Sequence, residues 1–177
     1  MQIKTNKNKY GIVRKLNHWT ISIMFISLLT VGIYMTGMSA SPEKWELYSL
    51  HKSFGAILIP FVLIRMLWLA FDNKIDNSTL TKAERIGSAS LHGTLYLLMI
   101  IMPVSGMLMS MAKGYAVKVF GLFTLSMLVD KNEALGLAMS NAHFYAGYFA
   151  AALVILHVLA SLFHHFIKKD DILKRMV

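Results

Sequence analysis

Two histidines on the last long apolar run, His143 and His157, have the type and spacing of metal ligands. They lie fourteen residues apart within 141–167, and in an α-helix that separation is four turns less about 40°, with a rise of about 21 Å. The run is long enough to cross a hydrocarbon core of about 30 Å. Imidazoles at that depth are costly unless they face a protein interior. One helix that presents two of them at two depths suggests a pair of stacked cofactors.

The composition is that of an integral membrane protein, since 56% of the 177 residues are hydrophobic, 15% are charged and mean hydropathy is +0.54. Four apolar runs predict spans at about 15–37, 47–71, 83–111 and 141–167. We therefore expect a single domain over 1–177, an all-α four-helix up-down bundle in the membrane. The basic start and Ser39-Ala40-Ser41 imitate a signal peptide, but the first run is longer than a signal core, which favours a retained span.

The basic residues indicate the orientation of the spans. The net charge is +9, and the Lys and Arg side chains lie at span ends rather than in a stripe, so no nucleic-acid partner is expected. The N-terminus, the 72–85 region and the C-terminus hold twelve of them, against five in the 38–52 and 112–142 regions. This bias predicts that both termini are cytoplasmic. The 112–142 connection holds the apolar patch Val119–Phe123, for which we predict a short helix on the membrane surface, with a loop as the alternative.

Depth pairs the histidines once the orientation is set. His18 begins span 1 near the inner surface, while His51 begins span 2 near the outer surface. On span 4, His143 is outer and His157 is inner. Depth therefore pairs His51 with His143 and His18 with His157. Each pair offers two axial nitrogens to an iron in a flat ring. The chain has no cysteine, which excludes Fe–S clusters, thiolate ligation and covalent C-x-x-C-H attachment, so any haem is non-covalent.

His92, early in span 3, competes with His18 for the inner site. A porphyrin that lies against a helix needs a small neighbour about one turn from its ligand. Four positions after His92 stands Tyr96. Small residues stand four positions after each of the four histidines that depth pairs: Ser22, Gly55, Gly147 and Ser161. This pattern favours His18, and His92 stays open between a packing role and a site near the inner cofactor. His164 and His165 read as headgroup-level residues beside Lys168 and Lys169.

Three basic residues near these sites are candidate partners for haem propionates. Arg65 lies fourteen residues after His51, well inside span 2, and a buried arginine needs a partner such as an inner-haem propionate. Lys52 and Arg14 either serve outer and inner propionates in the same way or anchor spans at the headgroups.

Five segments give the chain a family resemblance. They are K-Y-G-I-V-R-K-L-N-H-W (9–19), L-H-K-S-F-G (50–55), H-G-T-L-Y-L-L (92–98), V-F-G-L-F (119–123) and H-H-F-I-K-K-D-D-I-L-K-R-M (164–176). Over nearly its whole length the chain resembles the bacterial di-haem cytochrome b561 family, which is related to the cytochrome b subunits of nickel–iron hydrogenases. The family's ligand positions match His18, His51, His143 and His157.

The resemblance implies two non-covalent, bis-histidine b haems in the bacterial inner membrane. Their electrons would pass to or from ubiquinone or menaquinone in a respiratory chain, with membrane lipid and a redox partner protein as further partners. A homodimer and an enzymatic role as a quinone oxidoreductase stay open. No residue is assigned to catalysis, and His92 is the candidate quinone-site residue. The alternatives are a histidine-lined metal-ion transporter, which would want carboxylates that the spans lack, and a structural subunit of a redox complex.

Overall fold

Four long α-helices make up most of the computed structural model, which describes residues 2–177. They are α1 (Ile12–Thr36), α2 (Pro42–Phe71), α3 (Lys82–Ala112) and α4 (Glu133–Phe163). Each helix packs on its neighbours in sequence, and α1 also packs on α4. All four are long and apolar enough to cross a membrane. The predicted all-α four-helix bundle is therefore confirmed. We call the end of the bundle that holds both chain termini the terminal end. The opposite end holds the α3–α4 connection, which contains a β-hairpin, and we call it the hairpin end.

All four helices begin earlier than the apolar runs indicate, and the difference is largest for α2 and α4. The Ser41 side chain accepts a hydrogen bond from the Lys44 amide at 3.3 Å, with Pro42 in the first turn, so α2 begins at Pro42 rather than near 47. The Asn132 side chain accepts from the Leu135 amide at 2.9 Å, so α4 begins at Glu133 rather than near 141. These side chains satisfy amides that a helix start leaves free. The first turn of α2 holds Glu43 and Lys44, and for that reason hydropathy placed it in the connection.

The apolar patch of the α3–α4 connection forms a hairpin and not the surface helix predicted from the sequence. Strands β1 (Lys118–Val119) and β2 (Phe123–Thr124) pair antiparallel. Between them Phe120 and Gly121 have positive φ values of 49° and 72°, and the Leu122 amide donates to the Val119 carbonyl at 3.0 Å. Consecutive positive φ values make a turn whose twist suits two antiparallel strands. Glycine supplies one of them without steric cost.

Ser53, on α2, attaches this hairpin to the bundle. Its hydroxyl donates to the Lys118 carbonyl at 3.1 Å and accepts from the Phe120 amide at 3.0 Å. The Phe120 ring also packs edge-on against Phe54, with ring centroids 5.0 Å apart. Ser53 is 1% exposed, so these bonds form away from water. They hold the connection against α2 within one turn of His51.

Ser53→Ala should destabilise the protein by about 1–3 kcal/mol, because it leaves buried backbone groups of the hairpin without their partner. Thermal unfolding in detergent measures the loss. Ser49→Ala is the matched control, since Ser49 lies one turn away, is exposed and contributes only its carbonyl to this network. Equal melting temperatures for the two variants would show that the hairpin bonds add no stability.

The apolar core occupies the middle of the bundle. Its buried members come from all four helices: Ile21, Phe25, Leu29, Leu58, Val62, Leu98, Met99 and Ala150. On α2, for example, Leu58 and Val62 lie between His51 and Arg65, and on α4 Ala150 lies between His143 and His157. The core is therefore a layer that separates two groups of histidines.

The outer surface of the helices is apolar as well. Large side chains that face outward include Ile23, Leu63, Leu67, Leu97, Ile155 and Leu156, each more than half exposed. A soluble monomer rarely exposes so continuous an apolar surface. This surface therefore indicates that lipid surrounds the bundle.

Candidate functional site

The structure brings His51 and His143 together at the hairpin end. Their ring centroids are 6.2 Å apart and the ring planes are inclined at 83°. Both rings line a cavity of about 700 Å³ between the helices. This volume lies within the range of about 300–1,000 Å³ that is usual for cofactor sites.

The orientation of the His143 ring is set by α3. Its Nδ1 lies 2.9 Å from the Met102 carbonyl oxygen and 3.1 Å from the Ser105 hydroxyl. A carbonyl only accepts, so Nδ1 carries the proton and donates to Met102. The lone pair is thereby left on Nε2, which is the arrangement of a histidine that ligates a metal through Nε2. His51 Nδ1 is buried and has no hydrogen-bond partner within residues 2–177.

Two glycines make room for these imidazoles. A Cβ at Gly32 would lie 3.2 Å from His51 Cε1, and a Cβ at Gly106 would lie 3.0 Å from His143 Cε1. Gly55 and Gly147, which the sequence singled out as small neighbours, both line the cavity. Around Gly55 a Cβ would meet no heavy atom within 4 Å, so the space beside it belongs to the cavity.

A second group of histidines lies at the terminal end. His18 and His157 have ring centroids 6.3 Å apart with the planes inclined at 68°. His92 is closer to His157, with ring centroids 5.3 Å apart and the planes inclined at 72°. The structure therefore places three imidazoles here, whereas depth and neighbour size pointed to two.

Arg65 lies inside this terminal group. It is 8% exposed, and its Nη2 lies 3.4 Å from His18 Nδ1 and donates to the Tyr96 hydroxyl at 3.3 Å. Its Nη1 is buried and has no hydrogen-bond partner within residues 2–177. An arginine that served as a headgroup anchor would extend its guanidinium toward water. Here the guanidinium points into the bundle.

The other sequence candidates have different surroundings. Lys52 is half-buried on the wall of the hairpin-end cavity. Arg14 donates to the Asp72 carboxylate at 3.4 Å and lies over the Tyr10 ring, 4.5 Å from its centroid. Burial raises the pKa of Asp72, but hydrogen bonds from Thr5, Asn73 and Arg14 lower it, and the net pKa is below the usual value. Arg14 thus already has an ionised carboxylate as its partner.

The last two histidines belong to the terminal end but not to the group around His157. They open a π-helical turn, His164–Lys168, that follows α4. His164 Nδ1 lies 2.5 Å from the Asp170 carboxylate, and the His165 ring packs against Phe166 with ring centroids 4.7 Å apart. Both contacts are local to the chain end.

Trp68 is a residue that sequence reasoning missed. Its indole Nε1 is a buried donor without a partner in the described chain, and it stands one turn beyond Arg65 on α2. A buried donor of this kind costs free energy unless an acceptor is supplied. The signal in the sequence was the i,i+3 spacing of a polar-tipped aromatic residue from a buried arginine.

Comparison with known proteins decides the family. The model of the prokaryotic cytochrome b561 family matches residues 9–177. The chain belongs to this family. It is similar to cytochrome b561 homolog 2 of Escherichia coli (strain K12), at 29% identity over 180 residues that cover 100% of this chain and 95% of that protein. It is also similar to cytochrome b561 homolog 1 of the same organism, at 26% identity over 176 residues, 96% of this chain and 97% of that protein.

A third relative carries a more specific name. The probable superoxide oxidase CybB of Yersinia pestis is 24% identical over 176 residues, which cover 96% of each chain. Membership of the family makes this protein a multi-pass bacterial membrane cytochrome of the b type, with haem b as its class of cofactor and electron transfer as its role. The predicted family is thereby confirmed.

Proposed function

We propose that this cytochrome b561 holds two haem b groups and transfers electrons across the bacterial inner membrane in exchange with the quinone pool of a respiratory chain. His51 and His143 are the axial ligands of the haem at the hairpin end. His18 and His157 are those of the haem at the terminal end. The proposal includes a single domain over 1–177 with both termini in the cytoplasm, and the excess of basic residues at the terminal end supports this orientation.

The observation that carries the proposal is the separation of the paired rings. Two imidazoles that bind one metal ion through bonds of about 2 Å hold their ring centroids roughly 6 Å apart. The measured separations are 6.2 Å and 6.3 Å. The His92–His157 separation of 5.3 Å is shorter than this, which favours packing on a ligand as the role of His92.

The protein orients the ligands and supplies cations and donors. The Met102 carbonyl fixes the His143 tautomer. At the terminal end the unpaired donors Arg65 Nη1 and Trp68 Nε1 suit a propionate, while at the hairpin end the half-buried Lys52 does. Arg14 is a further candidate at the terminal end, because its Nε is also a buried donor without a partner in the described chain, although its Nη1 is paired with Asp72. When bound, each haem would supply a one-electron ferric/ferrous couple, and a histidine pair for each iron would favour outer-sphere transfer.

The same histidines fit a metal-ion transporter less well than they fit a cytochrome. Within residues 2–177 no group of three or more His, Cys, Asp or Glu side chains has the geometry to hold a metal ion. The spans also offer no carboxylate beside the paired imidazoles, whereas ion pathways through membranes usually need one.

The test is the haem content of the purified protein. We expect two haems per chain in a pyridine haemochrome assay, both extracted by acid acetone, because the chain has no cysteine for covalent attachment. One haem per chain, or haem that resists extraction, would contradict the proposal.

A second candidate function is superoxide oxidation, as the name of the Yersinia pestis relative suggests. The observation in its favour is the exposed Lys113, which lines the hairpin-end cavity together with Tyr115. A cation at the mouth attracts small anions, and superoxide is one. A ferric haem held in this cavity would supply the one-electron acceptor that oxidation of superoxide to dioxygen needs, and no proton would have to be transferred.

Lys113→Gln should then slow reduction of the cytochrome by superoxide about two- to fivefold at low ionic strength, with little effect at high salt, because steering by an exposed charge is screened. The measurement is haem reduction under a flux of superoxide, with and without superoxide dismutase. Lys74→Gln, an exposed lysine of the α2–α3 connection at the opposite end, is the control. A dismutase-insensitive rate would remove superoxide as the donor.

A further inference from the structure

A second cavity opens on the side of the bundle near the hairpin end. It has a volume of about 430 Å³ and lies between α2, α3 and the hairpin. Its floor contains Met111 and Val119, which are 0% and 2% exposed, and its rim contains Phe123 and Leu128, which are 55% and 66% exposed. The groove therefore leads from the lipid-facing surface to the interior, and its walls are almost wholly apolar.

The groove ends against the cavity that holds His51 and His143. Ala56 and Met107 line both cavities. These two side chains are therefore part of the wall between the groove and the hairpin-end site. A molecule in the groove would thus contact side chains that also line that site.

The shared wall also offers a hydrogen-bond acceptor. Pro60 lies inside α2 and lines the groove. Proline has no amide hydrogen, so the carbonyl of Ala56, four residues earlier, lacks the donor that a helix normally provides. Ala56 and Pro60 are one turn apart on the same face of the helix. Both residues line the groove, so this part of the helix backbone lies at its wall.

We infer that this groove binds a lipid-soluble quinol, with its hydrocarbon chain along the apolar walls and one hydroxyl donating to the Ala56 carbonyl. The inference rests on the proposed exchange with the quinone pool and gives that exchange a place. A quinol has two hydroxyl donors, whereas the oxidised quinone has only acceptors and gains nothing from a carbonyl. The site accordingly prefers the reduced form.

Pro60→Ala tests the hydrogen bond, because it restores the amide donor to α2 and occupies the Ala56 carbonyl internally. The loss of one hydrogen bond should weaken decylubiquinol binding roughly three- to tenfold and leave decylubiquinone binding unchanged. The quinol is titrated anaerobically into dithionite-reduced protein and the quinone into ferricyanide-oxidised protein, so that neither ligand is consumed. Unchanged quinol affinity, or an equal loss for both ligands, would overturn the inference.

Ile59→Trp tests the groove itself, because Ile59 lines it and does not line the hairpin-end cavity. Both ligands should bind about tenfold more weakly. Leu63→Trp is the matched control, one turn away on α2 and 54% exposed to lipid. Equal affinities in the two variants, or a co-purified phospholipid that decylubiquinol fails to displace, would end the quinol assignment. Haem content measured on the same samples reports separately on the proposed function.

Discussion

His51→Ala should purify with one haem per chain instead of two, and so should His18→Ala. Each substitution removes an imidazole nitrogen from a different pair, and the chain has no cysteine that could replace it. The remaining haem in each variant should keep its own absorption maximum. The measurements are a pyridine haemochrome assay per chain and a reduced-minus-oxidised spectrum, which together show how many haems remain and which.

His92→Ala is the decisive comparison, because His92 also contacts His157. If its role is packing, the variant keeps both haems and loses only the ring contact. Its haem-to-protein ratio should match that of the unchanged protein, with slower electron exchange as the largest effect. Loss of a haem in His92→Ala together with two haems in His18→Ala would mean that His92 is the ligand at the terminal end.

The bundle was predictable because hydropathy and spacing act over many residues. Four apolar runs determine four helices, and a fourteen-residue separation keeps His143 and His157 on nearly one face whatever the surroundings. The ends of the helices were harder to predict from the sequence. The caps Ser41 and Asn132 are single polar residues, so they do not register in an average over an apolar window.

The contacts that support the site could not be predicted from the sequence, because they depend on how neighbouring helices are rotated about their axes. Nothing near His143 in the chain indicates that the Met102 carbonyl would hold its ring, or that Gly106 would leave room for it. The hairpin depends in the same way on Ser53 of α2, which is remote in sequence. Its own signal was the Gly121 turn between short runs of β-forming residues, and the apolar character of the patch outweighed it.

Arg65→Gln should lower the midpoint potential of the terminal-end haem and change that of the hairpin-end haem little. The guanidinium is 8% exposed and lies 3.4 Å from His18 Nδ1, so its charge acts on this site with weak screening. A positive charge disfavours the ferric, more positive state, and its removal therefore favours oxidation. With an effective dielectric of about 20, a unit charge one imidazole away contributes on the order of 1–2 kcal/mol. That is roughly 40–90 mV for a one-electron couple.

Arg65→Lys and Arg85→Gln show whether the effect belongs to the guanidinium at this position. Lysine keeps the charge but cannot reproduce a two-bond contact with a carboxylate. The terminal-end midpoint potential of Arg65→Lys should therefore lie between those of Arg65→Gln and the unchanged protein. Arg85 is an exposed arginine at the same end, where solvent screens its charge, and Arg85→Gln should shift neither haem measurably.

A redox titration of the three variants separates this account from an anchoring role. Anchoring predicts unchanged potentials in Arg65→Gln, with less protein inserted into the membrane. The contacts of Arg65 argue against it, since the guanidinium donates to the Tyr96 hydroxyl inside the bundle and has Nη1 free for a propionate oxygen. Equal terminal-end potentials in Arg65→Gln and the unchanged protein would refute the propionate contact. A shift confined to one haem would in addition show that the apolar layer of Phe25, Leu58 and Val62 insulates one site from charges at the other.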